Sequence, residues 1–133
     1  MITNYAKNLS SGSGRTYFTY LGNVVPFNDI VTTLVTDMHD WVINATAFNQ
    51  PLNSWNTANV LYMHNMFYNA DAFNQPLNSW NTSNVTIMAY MFTNASVFNQ
   101  DISNWIITSV IVKPPTNFST GSALSAPNSP LWN

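Results

Sequence analysis

The chain has 133 residues, 46% of them hydrophobic and only 6% charged, with a net charge of −2 and no cysteine. That length suits one domain with a modest core, and the hydrophobic share excludes a wholly disordered chain. The only basic residues, Lys7, Arg15 and Lys113, form no cluster, which excludes a phosphate-reading nucleic-acid surface, and the missing cysteines exclude disulfides and thiolate metal sites.

Residues 1–22 read as a polar N-terminal arm, rich in Gly and Ser around Ser10 to Gly14. Within it, Thr16 to Tyr20 is aromatic and β-prone, able to add a strand or dock on a neighbour. The first residues lack the charged-then-apolar build of a secretory signal. No apolar run in the chain approaches the ~18 residues of a transmembrane helix, so membrane insertion is not expected.

Residues 23–113 read as a repeat body. Phe48 to Trp55 (FNQPLNSW) recurs unchanged as Phe73 to Trp80 and, altered, as Phe98 to Trp105 (FNQDISNW), the two steps being equal with no insertion or deletion. A worn copy precedes them, with Val35, Met38, His39, Asn44 and Ala45 one period before Val60, Met63, His64, Asn69 and Ala70. A fixed period in the range of roughly 20–50 residues is the mark of a solenoid, whose terminal repeats are worn because they end the stack. The fold expected is therefore a small right-handed repeat solenoid of about four coils with capped ends. Asn59 to Met63 and Asn84 to Met88 are its expected short parallel strands. Met66 to Ala70 and Met91 to Ala95 are its expected brief helical turns. Columns Phe48/Phe73/Phe98 and Met63/Met88 should face inward, and Asn59/Asn84 should satisfy backbone groups of neighbouring coils. Pro114-Pro115 reads as the stop, and residues 114–133 as a tail, or as a cap folded over the open end.

These phrases resemble the BspA-like repeat family, also called DUF285, whose period has the same length; Phe73 to Ser96 matches its phrase nearly throughout, and Phe48 to Ala72 matches well. The resemblance implies a leucine-rich-repeat-like solenoid, often on bacterial surfaces and linked to adhesion, with related repeats in protists and large viruses.

No residue set demands a chemistry. The five acids show no acid–base pairing, there is no Glu, and a hydrolase would need a His–carboxylate contact in a cleft, which is not expected. His39 and His64 share a column without a carboxylate in it, a poor metal site. No enzyme activity, metal or cofactor is expected. The candidate partner-binding residues are Trp55, Trp80 and Trp105, which as an exposed column would stack on sugar rings or anchor an interface. Tyr62 and Tyr90 join them, as do Thr57 and Thr82. The ordinary reading of the Trp column is burial in a coil corner. The expected role is a surface binding or adhesion module for a protein or glycan, at a cell or particle surface. The alternative is a structural component of a larger assembly, such as a virion or surface layer, contacting neighbouring subunits; low charge suits a surface that ends up covered.

Overall fold

The computed structural model describes residues 17–20 and 23–133. Most of the expected N-terminal arm lies outside the described residues. Its β-prone segment forms strand β1 (Tyr17–Tyr20), paired antiparallel with β2 (Asn23–Pro26) so that Tyr17 faces Pro26 and Tyr20 faces Asn23.

Beyond the hairpin the expected leucine-rich-repeat-like strand solenoid is overturned. Among the described residues the repeats contain no strand and no α-helix; the helical residues are two single 3-10 turns, Phe27–Asp29 and Ala126–Asn128. Residues 59–63 and 84–88 each reduce to one parallel bridge position, in the series Asp37–Tyr62–Ile87. Residues 66–70 and 91–95 are irregular turns, not helix. No helix among the described residues is long and apolar enough to cross a membrane.

The reason is visible in the backbone bonds. Val60 N–H turns back to Thr57 O (3.0 Å) and Met66 N–H to Met63 O (3.3 Å), so only the residues between them can extend. From Met63 onward, alternate residues donate to the next period: Met63 to Ile87 O, Asn65 to Ala89 O, Phe67 to Met91 O and Asn69 to Thr93 O, all at 2.9–3.0 Å. Asn65 and Asn69 sit at positive φ (56° each), as do Asp40, Asn44, Tyr90 and Asn94. Left-handed residues cannot belong to a strand or a right-handed helix. Each period of the repeat thus becomes one irregular layer, bonded along its length to the layers before and after it.

The layers enclose one continuous core from Phe27 to Phe118. The Phe48, Phe73 and Phe98 rings stack at 5.9 and 5.8 Å, and Phe67 and Phe92 stack at 5.3 Å beside them. Met63 and Met88 are buried in the same core.

Asn columns tie the outside. Asn69 Nδ2 donates to Asn44 Oδ1 (2.8 Å) and Asn94 Nδ2 to Asn69 Oδ1 (2.9 Å), a side-chain ladder built on the left-handed positions. Asn59 and Asn84 instead reach back to the carbonyls of Thr33 and Ala58. Asn69→Ala should lose about 1–2 kcal/mol, since it removes the ladder bonds and strains a left-handed backbone. Asn69→Gly, which keeps the backbone relaxed, should lose less; equal losses in urea unfolding would remove the backbone half of this account.

Past Pro114-Pro115 the contacts between layers resume. Thr116, Phe118 and Thr120 carbonyls accept from Tyr90, Phe92 and Asn94. The register is displaced. Asn65 bonds Ala89, whereas Tyr90, its counterpart one period later, bonds Thr116 where equal spacing would give Pro114. The diproline segment therefore holds two extra residues, and Pro115 is buried.

Candidate functional site

The Trp column faces the interior. Trp55, Trp80 and Trp105 are at most 4% exposed. Their indole N–H groups donate in turn to Phe27 O (2.7 Å), Leu52 O (3.0 Å) and Leu77 O (3.1 Å), each in the preceding layer. The rings stack on one another at 6.3–6.4 Å. No indole face in this column is open to a sugar ring.

Thr57 and Thr82 are also buried. Their hydroxyls donate to Asn81 O (3.0 Å) and Ile106 O (2.9 Å), and Thr32 does the same to Asn56 O (2.9 Å). Tryptophan thus reaches back one layer and threonine forward one. Both columns are occupied in holding layers together.

Tyr62 and Tyr90 do reach the surface, each 37% exposed. Tyr62 lies on the bridge column between Asp37 and Ile87. Val112 falls one period further on, and Leu61 and Ile111 flank it in the neighbouring column. Ile111 (74%) and Val112 (57%) are well exposed, and Leu61 and Ile87 are partly so. The face therefore changes character along the stack. It begins polar, at Thr36, Asp37, His39 and Asp40, and ends aliphatic. Ile87, Ile111 and Val112 stand in columns whose residue identity changes at each step, so repetition does not mark them. The signal available was the drift itself, from Asp through Tyr to Ile and Val.

The polar end holds a His–carboxylate contact, against expectation. His39 Nδ1 pairs with Asp37 Oδ1, and the His39 ring stacks on His64 at 4.7 Å. The Asp37 carboxylate also accepts His39's own N–H (3.0 Å), because the two residues share one tight turn. His64 Nδ1 and Asp40 Oδ1 are buried without a hydrogen-bond partner. Neither Asp37 nor His39 lines the apolar cleft of the aliphatic end. No group of three or more His, Asp or Glu among the described residues is placed to hold a metal ion. Elsewhere, Ser103 donates through Oγ (2.6 Å) and N–H (3.0 Å) to Asp101, which holds that carboxyl below its usual range.

A family model described as "Mycoplasma protein of unknown function, DUF285" matches residues 16–129. No curated protein and no solved structure matches the chain.

Proposed function

The chain belongs to the DUF285 family, and from that premise we propose that it is a non-enzymatic binding module, displayed at a cell or particle surface, that seats a protein partner on its aliphatic–aromatic strip. The observation that carries this reading is the strip itself: Leu61, Tyr62, Ile87, Tyr90, Ile111 and Val112 stand exposed on successive layers. Surface patches of this kind on a polar body mark interaction sites. Backbone bonds between layers fix the spacing of these side chains before any partner arrives, so little ordering entropy is lost on binding. A protein partner fits better than a glycan, because the Trp column is turned inward and Tyr62 and Tyr90 belong to different columns.

The second reading, a component of a larger assembly, draws on the same strip together with the 6% charge. Light scattering on the wild-type chain and on the Tyr62→Lys/Ile87→Lys double variant separates the two. Both side chains are part-exposed, so the variant should keep the wild-type melting midpoint. For a binding module, both chains run as monomers and the variant binds its partner at least about tenfold more weakly. For an assembly component, the wild type is an oligomer that the variant dissolves. Full partner binding by a folded, monomeric variant would remove the strip from the argument.

A further inference from the structure

The left-handed residues run on into the last layer. Asn117 and Gly121 sit at positive φ (48° and 76°), as Tyr90 and Asn94 (59° and 58°) do one layer earlier. In every earlier layer this row donates forward: Asp40, Val42 and Asn44 to His64 O, Met66 O and Tyr68 O, and at the far end Tyr90, Phe92 and Asn94 to Thr116 O, Phe118 O and Thr120 O. The next members of the row are Asn117, Ser119 and Gly121. Their N–H groups meet no acceptor among the described residues.

The peptide unit fixes where these donors point. The carbonyls of Thr116, Phe118 and Thr120 are turned back to the preceding layer, at 2.7–2.9 Å from their donors. A trans peptide directs its C=O and the N–H that follows in opposite senses, and these bonds are trans. The three N–H groups therefore point off the end of the stack. Asn117 and Gly121 are exposed, and Ser119 is partly so.

The tail covers the other half of this end. Ser125 N–H donates to Asn99 Oδ1 (2.9 Å) and Asn128 Nδ2 to Asn99 O (2.9 Å), just as Asn99 N–H and Gln100 Nε2 bond Asn74 one layer below. The tail thus stands in for the first half of a further layer, and it makes no hydrogen bond to the donor row. A second copy stacked in register would place its residues 27–35 where the tail already lies. A single segment of chain fits where a whole layer does not.

We propose that this row is a docking edge for an extended segment of a protein partner, paired backbone to backbone. What caps the same row inside the stack sets the chemistry of that segment. It carries carbonyls on alternate residues, with Asn or Gly four residues apart at the left-handed positions. The edge is at the end of the stack, whereas the aliphatic–aromatic strip runs along its side, and neither reading depends on the other.

The probe is a peptide of this chain's own Met63 to Ala72, the segment that caps the row of Asp40, Val42 and Asn44. It is titrated into the whole isotope-labelled chain. Ordering a free peptide offsets most of what three bonds supply, so a Kd on the order of 1 mM is expected. The amides of Asn117, Ser119 and Gly121 should shift together along one saturating curve. The same peptide with Asn65→Val and Asn69→Val resists the left-handed backbone and should bind at least about fivefold more weakly. Before any peptide is added, the three amides should exchange with solvent at least about tenfold faster than those of Tyr90, Phe92 and Asn94. Equal protection would mean that the row is already capped and would overturn the proposal. So would amides that stay put, or that move as far with the control peptide. The Tyr62→Lys/Ile87→Lys variant should respond as the wild type does; a lost response would move the peptide to the strip and overturn the edge. Ser119→Pro removes the middle donor and should weaken binding at least about fivefold. If that variant does not fold, the comparison of the two peptides on the wild type decides.

Discussion

Phe73→Ala is expected to lower the free energy of unfolding by about 3–5 kcal/mol. Phe73 is fully buried at the middle of the stack. Its ring lies 4.2 Å from Phe67 within its own turn of chain, 5.9 Å from Phe48 below and 5.8 Å from Phe98 above. Truncation therefore opens one cavity that touches three layers. Collapse into it is blocked, because the backbone on both sides is held by bonds between layers. A domain of this size is stable by only about 5–15 kcal/mol, so the loss takes a large part of the total. Phe73→Leu, which keeps most of the volume, should lose clearly less. Urea unfolding of the two variants beside the wild type checks this, and an unmoved midpoint for Phe73→Ala would refute the central role of the ring.

Gly121→Ala is the next largest, at about 2–3 kcal/mol. Gly121 has φ 76°, where a side chain is strained in any surroundings. Its Cβ would also meet Asn94 Oδ1 at 2.5 Å. A free side-chain end would swing aside, but Asn94 is fixed through its Nδ2 to Asn69 Oδ1 (2.9 Å). The added methyl therefore has to break that bond or move the Phe118–Thr120 segment off its partners. Gly121→Asn, which tolerates the left-handed backbone but not the clash, separates the two contributions in the same unfolding measurement.

The period and the apolar columns were open to reading because burial repeats residue identity: Phe48, Phe73 and Phe98 occupy one position in three layers. The secondary structure was misread for a local reason. Val60 to Met63 has strand propensity, but the turns that enclose it and the left-handed Asn65 and Asn69 leave one extended position. The Asn44, Asn69 and Asn94 column carried that message, since Asn is among the few residues that accept positive φ. Trp55, Trp80 and Trp105 could be read either way, because an indole suits a wet surface and a core alike. What settles their place is a carbonyl one layer back within reach of each N–H. The cleft was hidden by two residues. Val112 keeps the period after Ile87, while Pro115 takes the place of Met88 two positions late. A repeat comparison registers this as decay, whereas the backbone registers it as an opening.

The backward reach of tryptophan and the forward reach of threonine have a consequence for how such a chain can change in length. Trp80 meets Leu52 as Trp105 meets Leu77, and Thr57 meets Asn81 as Thr82 meets Ile106. The two central periods, 48–72 and 73–97, therefore each carry both halves of one kind of seam, a tryptophan reaching back and a threonine reaching forward. A cassette of one period, excised or duplicated in phase, would rejoin through the seam already in use. Tandem duplication is then nearly free of structural penalty, and array size becomes a quantity that recombination can adjust while the side chains on the outer columns vary.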